Sequence, residues 1–397
     1  MMKKVSFVMI AFFFLFSLMV PDRGVAAAPE PIKIGFMAPY VGVFTKFGSD
    51  LRDGFKLYLD EVQNKVAGRE ILFLNEDTEG KPEVGLVKTR KLVEKDQVHI
   101  LAGIISSGVA YAVRDYVISK KVPLVICNAG ANKLTQDQRS PYIFRASFAN
   151  GQQDLAGGWY AYAKMGVRKV IMIGSDYAAG REKAGGFMKS FKYMGGEVVE
   201  EIYPPLETND FAPYLAKIAN YVGKVDRVWA FFAGSDAIRF VNQYDEYGLK
   251  NKIKLFCEEG VTDEANIPSQ KEAALGIESY ARYCLGYDSP ENKRFIREYR
   301  KKYNYDPGSL SEGGYVGAKF IAKALEAVGG KIENQEGFLK ALKSVKFEAP
   351  RGPIRFDDHQ NVIFNTFIER VEKREGKYNN YVVDIIPDVD QYWMPKK

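Results

Sequence analysis

Ile32-Lys33-Ile34-Gly35-Phe36-Met37 is a short apolar run of strand type, and the polar-aromatic loop from Ala38 to Asp50 follows it directly. Ser49 then precedes Leu51, Phe55, Tyr58 and Val62, which are spaced as one face of a helix. The signal repeats. Ile71 to Leu74 reads as a second strand, with Pro82 suited to the first turn of the next helix. Val98 to Ala102 reads as a third, followed by Ser106 and a helix with Ala110, Val113 and Val117 on one face; Val122 to Cys127 reads as a fourth. Such alternation predicts an α/β fold, a mostly parallel sheet covered on both faces by helices.

A second series begins beyond Phe144. Leu155, Trp159 and Tyr162 predict a helix, Val170 to Ile173 a strand, and Ala184, Met188 and Phe191 a helix that Gly195-Gly196 ends. Glu197 to Ile202, Val228 to Phe232 and Ile253 to Cys257 are further strand candidates, and the stripe Phe211, Leu215, Ile218 and Val222 predicts a helix among them. The tail differs in kind. Pro290 begins a charged helix carrying Phe295 and Tyr299, and Tyr315, Ala318, Ala322 and Leu325 lie along another. Ile354 to Phe356, Val362 to Glu369 and Tyr381 to Ile386 then read as strands joined by turns.

Ahead of the first strand, Lys3 and Lys4 precede an apolar run from Val5 to Val20, and Ala26-Ala27-Ala28 supplies the small residues that a signal peptidase accepts. Residues 1–27 therefore read as a cleavable signal peptide, cut after Ala27 because a later cut places Pro29 beside the scissile bond. The run is short for a membrane span, and the first cysteine is Cys127, so this cleavage leaves no lipid-modified amino terminus. Without the leader, 53 basic and 49 acidic residues give a formal charge of +4. No stretch interleaves clustered Arg and Lys with stacking aromatics, so nucleic acid is not an expected partner. The remaining length suits two lobes of ordinary domain size. Cys127, Cys257 and Cys284 make no disulfide scaffold; a Cys257 to Cys284 bridge and three buried thiols both stay open.

Catalytic equipment is not legible. His99, at the start of a predicted buried strand, and His359, in a polar turn, have no Cys, Asp or Glu at metal-ligand spacing, so neither a metal nor a hydrolase triad is expected. The turn after the first strand, Ala38-Pro39-Tyr40-Val41-Gly42-Val43-Phe44, lacks the glycine spacing that admits a pyrophosphate. No cofactor is expected. Glu258, Glu259, Asp263 and Glu264 cluster in one loop, which leaves a paired-carboxylate site open beside the plainer reading of a solvated acidic loop. What remains is a set of loops at the carboxyl ends of strands, where open α/β sheets bind ligands. They are Tyr40 to Gly48, Ser106-Ser107, Asn128 to Ala131, Asp176-Tyr177, Gly234 to Asp236 and Glu258 to Gly260.

At these residues the chain resembles extracytoplasmic solute-binding proteins of the leucine/isoleucine/valine type, which feed ABC transporters. The likeness rests on Ile32 to Gly35 with Pro39, Gly103 to Ser107 with Ala110, Pro123 to Ile126, Phe144-Arg145, Asp176-Tyr177 with Gly180, Tyr315 within a small-residue helix, and Gly352 to Phe356. It implies a type I periplasmic binding fold: two Rossmann-like lobes joined by a three-segment hinge and closing over a ligand. Crossovers near Phe148, Leu285 and Arg355 give a first lobe of residues 28–147 plus 286–354 and a second of 148–285 plus 355–397. A monomer in the periplasm, presenting its closed form to an inner-membrane ABC permease and performing no catalysis, is the implied role.

Carried over onto this sequence, the resemblance makes Ser106 or Ser107, with the backbone of Ala129, Gly130 and Ala131, the clamp for a ligand carboxylate. Phe44 covers the solute, and Glu259 stands where amino-acid binders hold the α-ammonium. Ala131 and Ser235 stand where a threonine and a tyrosine are common, which weakens a leucine-binder reading. Tyr40, Phe44 and Phe47 on the front loop, with Tyr177, Tyr280 and Tyr283, suit a flat ring, and Asp176 borders them. The expected ligand is therefore a small carboxylate, an aromatic acid of the benzoate or hydroxycinnamate type, with an aliphatic amino acid as the alternative. A ligand-sensing subunit docking a membrane receptor is the reading from another class, since fold does not choose between them.

Overall fold

Six strands build the first of two sheets in the computed structural model, which describes residues 29–396. The proposed leader at residues 1–27 lies outside the described residues. The strands are β1 (Ile32–Ala38), β2 (Lys65–Val66), β3 (Arg69–Asp77), β4 (Ile100–Gly103), β5 (Leu124–Ile126) and β6 (Ile143–Arg145), in the spatial order β2-β3-β1-β4-β5-β6. All pairs are parallel except the β2 and β3 hairpin. β1 is the pivot: Ile34 stands opposite Phe73 on one side and Ile100 on the other. The chain winds one way from β1 to β3 and the other way from β4 to β6, so a crevice opens at the carboxyl ends of β1 and β4.

The apolar stripe of the opening segment explains this lobe's packing. Phe36 meets Phe55 of helix Thr45–Glu61 at 5.1 Å between ring centroids and Phe73 of β3 at 5.4 Å. Each such ring contributes roughly 1.5–3 kcal/mol by leaving water. Helix Ser309–Ala327 lies against helix Thr45–Glu61 backbone to backbone, because a Cβ on Gly54 would fall 1.8 Å from the Ser311 carbonyl oxygen and one on Gly314 1.9 Å from that of Leu51.

The second sheet repeats the parallel plan with β7 (Lys169–Gly174), β8 (Glu197–Ile202), β9 (Arg227–Phe231), β10 (Lys254–Glu258) and β11 (Glu278–Ala281), ordered β8-β7-β9-β10-β11. It continues through antiparallel pairing to β14 (Val362–Arg374), which also carries β15 (Lys377–Val389) and, at its first two residues, β13 (Gly352–Phe356) with β12 (Lys346–Ala349). The chain passes between the two parallel cores more than once. After β6 it enters helix Gln152–Ala163, which packs on β10, β11, β14 and β15; after β11 it returns to helices Pro290–Tyr303 and Ser309–Ala327, which pack on helix Thr45–Glu61. The result is two α/β lobes with parallel-sheet cores and a hinge.

Some expected boundaries move. Val62 caps helix Thr45–Glu61 and does not extend it, and Val222 lies past helix Ala212–Ala219, exposed in the turn that Gly223 completes with φ +77°. The two tail strands are longer than expected because they pair along almost their whole length. All three cysteines are free and buried, so Cys257 and Cys284 form no bridge.

Candidate ligand-binding site

A cavity lies where the carboxyl ends of the two parallel cores face each other. Each wall is the continuation of a strand. Phe44 and Phe47 follow β1, Ile105 and Ser107 follow β4, and Asn128 and Gly130 follow β5; from the other lobe Tyr177 and Lys183 follow β7, Phe231 and Ala233 end β9, Glu258 to Gly260 end β10, and Arg282 follows β11. Phe148 and Asn150 line it from the segment between the lobes, and Ser309 and Leu310 from the start of helix Ser309–Ala327. Tyr177 is the aromatic link across the cleft, 6.3 Å from Phe44 and 6.2 Å from Phe231 between centroids, and stacked on the latter.

The first lobe presents hydrogen-bond donors. Helix Ser107–Lys120 starts at the cavity wall, and its cap position, Ser106, makes no side-chain capping bond. The first amides of the helix therefore keep their donors. Ser107 Oγ accepts from Asn150 Nδ2 at 3.0 Å, leaving its own hydrogen to donate elsewhere. Behind the neighbouring loop, the buried Arg145 donates to the carbonyls of Gly130 (2.8 Å) and Ala131 (2.5 Å) and to Asn361 Oδ1 (2.7 Å). This fixes the loop from the side away from the cavity. Burial lowers the Arg145 guanidinium to about 10, offset in part by the charge of Glu182.

The second lobe presents charges that are already balanced. Lys183 pairs with Glu258, which also accepts from Gln153 Nε2 and the Gly260 N–H, each at 2.7 Å. Arg282 pairs with Glu259, whose other oxygen accepts the Arg282 N–H at 2.8 Å. Burial, and then the charge of Arg351, lower the Arg282 guanidinium to about 9. Phe148 is held between the two cations, 4.3 Å from Lys183 Nζ and 4.5 Å from the Arg282 guanidinium carbon. The expectation of a solvated acidic loop is thereby corrected: Glu258, Glu259, Asp263 and Glu264 are all buried, because basic side chains and backbone donors from distant segments reach them.

Of the expected site residues, Phe44, Ser107, Gly130, Tyr177 and Glu259 meet at the cavity. Ser106 stands one residue behind, and Ala129 and Ala131 flank Gly130 with their methyl groups in the first lobe's core. Four others lie elsewhere. Tyr40 turns toward β3, where its hydroxyl donates to Asn75 Oδ1 (2.5 Å) and its N–H to Asp77 Oδ1 (3.0 Å). Asp176 is exposed and accepts from Arg181 Nε at 2.9 Å. Ser235 begins helix Ser235–Glu246 and lines a wider gap on the cleft rim with Gly42 and Lys46. Tyr283 is buried in the first core, edge-on to Phe295 at 6.2 Å. Tyr280 is likewise internal, donating to Asp154 Oδ1 at 2.6 Å and accepting from Trp229 Nε1 at 2.7 Å. Lys183, Arg282, Asn150 and Phe231 escape the sequence reading; Phe148 is legible there only as a crossover. Among the described residues, no group of His, Cys, Asp and Glu is placed to hold a metal ion.

Comparison with known proteins gives concordant matches. The family model described as periplasmic binding protein matches residues 31–376. Leu/Ile/Val-binding protein homolog 6 of Brucella melitensis biotype 1 is 33% identical over 387 residues, covering 96% of each chain. An ABC transporter substrate-binding protein from Sphaerobacter thermophilus superposes with a TM-score of 0.87 at 40% identity, over 91% of this chain and 99% of the other. A solute-binding protein of an ABC transporter from R. palustris, crystallised in complex with benzoate, superposes with a TM-score of 0.85 at 30% identity, over 92% and 99%.

Proposed function

Since the chain belongs to the periplasmic binding protein family, we propose that its solute is a small aromatic carboxylate of the benzoate or hydroxycinnamate type. As a member it is an extracytoplasmic, non-catalytic solute-binding protein of an ABC transporter, closing over a small ligand and partnering a membrane permease. The observation that carries the ligand reading is the bare amino terminus of helix Ser107–Lys120 in the wall of a cavity lined by rings. A carboxylate there accepts from the Ser107 hydroxyl and the first helix amides, and the helix dipole favours its charge. Phe44, Phe148, Tyr177 and Phe231 offer a planar ring both edge and face contacts. Glu259, the acid best placed for an ammonium, is already balanced by Arg282, which suits a ligand that brings no amine. The benzoate bound to the R. palustris protein supports the same class.

An aliphatic amino acid is the second reading. The Brucella relative, matched along 96% of this chain, carries a Leu/Ile/Val-binding name, and by curated names this reading has the stronger support. Thermal unfolding with benzoate, 4-hydroxybenzoate, leucine and valine separates the two. A true ligand at a hundredfold excess over its Kd adds about 2.7 kcal/mol to the folded state, so the aromatic acids are expected to raise Tm and the amino acids to leave it unmoved. Stabilisation by leucine or valine, with none by the benzoates, gives the site to the amino acid.

A further inference from the structure

Glu182 lies outside the cavity wall, on helix Ala178–Met194 of the second lobe, yet it reaches across the cleft. Its carboxylate accepts from three donors: the Tyr111 hydroxyl at 2.5 Å, the Asn132 N–H at 3.0 Å and Asn150 Nδ2 at 2.8 Å. Tyr111 and Asn132 follow strands of the first sheet, and Asn150 belongs to the segment between the lobes. The same Nδ2 of Asn150 donates to Ser107 Oγ at 3.0 Å, so the two hydrogens of one amide join Glu182 to the hydroxyl at the cavity wall. A carboxylate is a strong acceptor for all three, since hydrogen bonds to an ionised group exceed neutral ones. Burial first, and then the bond to Glu182, hold the Tyr111 phenol well above its ordinary pKa, which keeps it a donor at any physiological pH.

We infer that Glu182 is a positioning residue for ligand capture: it clasps the two lobes in the closed form and, through Asn150, holds the Ser107 hydroxyl with its hydrogen toward the ligand. The inference rests on the carboxylate reading of Ser107 only in its second half; the clasp itself is indifferent to what the cavity holds. Opening the cleft breaks the bonds from Tyr111 and Asn132 and leaves Glu182 to water. Closing restores them without any contact to the solute. Affinity rises with the closed-to-open ratio of the liganded chain, so Glu182 acts on affinity at a distance from the ligand. Ligand enters the open form, so losing the clasp does not slow association, and the loss of affinity is carried by dissociation.

Stopped-flow release of benzoate and small-angle X-ray scattering test this on the full mature chain. Glu182→Ala is expected to raise the benzoate Kd roughly tenfold, nearly all of it through faster dissociation. Glu182→Gln, which keeps an acceptor, and Tyr111→Phe, which removes one donor, are expected to cost about threefold each. Saturating benzoate should return all variants to the wild-type radius of gyration, which a misfolded variant cannot do. A dissociation rate within about twofold of wild type in Glu182→Ala, or a loss carried by association, overturns the clasp. Ser107→Ala separates the two halves: if it binds benzoate as wild type does, the hydroxyl relay falls while the clasp stands on its own rates. If benzoate does not bind the wild-type chain, leucine replaces it with the same expectations for Glu182. If neither binds, ligand-free scattering decides: Glu182→Ala must enlarge the radius of gyration, and an unchanged radius overturns the clasp.

Discussion

Glu264 stands beside Asp263 behind the cavity, and burial first, then the charge of Asp263, push its carboxyl up from 4.5 to about 8. It accepts from Asn380 Nδ2 at 3.2 Å and from the Leu285 N–H at 3.3 Å. The folded chain retains a proton that the unfolded chain releases near its ordinary pKa. The contribution of Glu264 to stability is therefore whole below that pKa and is lost as pH rises through the folded value. Urea unfolding should show stability falling between about pH 5 and pH 8, and Glu264→Gln should flatten that fall. The flattening is partial, because burial raises Asp263 and Glu369 in the same way; an identical slope in the variant refutes the assignment. At this scale the sequence is informative about loops and poor on charges. Phe44, Ser107, Gly130, Tyr177 and Glu259 are legible because each follows an apolar run that marks a strand end. Lys183 and Arg282 are not, because their partners Glu258 and Glu259 stand 75 and 23 residues away. A lone basic residue looks solvated until the fold supplies its acid.

At the scale of elements, the loop after β1 and the turn after β9 come from opposite lobes and touch. Gly234 has φ +59° and ψ −136°, and a Cβ there would lie 2.0 Å from the Val43 carbonyl oxygen. Gly234→Ala meets two obstacles of different kind. The backbone strain, about 1–3 kcal/mol, acts on the folded chain whether open or closed, whereas the clash with Val43 acts only when the lobes meet. Calorimetric titration should therefore show ligand affinity falling by more than the ligand-free melting temperature alone accounts for; unchanged affinity would mean that the two loops part without cost. Long, periodic elements such as β1, β7 and helix Ser309–Ala327 are legible because several apolar positions agree. β6 is three residues long and β12 four, too short for alternation to speak. β11 hides for another reason: Ser279 is polar yet buried, bonded to Glu369 Oε1 at 3.0 Å, so its pattern does not look like an interior strand. Helix Ser235–Glu246 escapes because Gly234-Ser235-Asp236 reads as a ligand loop.

For the whole molecule, the alternation of strand and helix in both halves makes the two-lobed plan legible, while the pairing of Glu259 with Arg282, on which the proposed ligand leans, is revealed only by the fold. Lobe boundaries at 147/148, 285/286 and 354/355 and a monomeric state remain proposals, the latter open to light scattering. Export makes a further one. If residues 1–27 are the leader, the mature chain isolated from the periplasm begins at Ala28, and intact mass reads the loss directly; a full-length mass in that compartment contradicts cleavage. The three cysteines carry the last consequence. All are buried and unpaired, and burial pushes the Cys127 thiol up to about 12 and holds those of Cys257 and Cys284 well above their usual range. The nucleophile toward thiol reagents is an accessible thiolate, so the native chain is expected to be silent toward them. A single cysteine placed on the cleft rim then accepts a polarity-sensitive dye alone, and closure becomes a fluorescence signal, turning the protein into a reagentless sensor for its own solute.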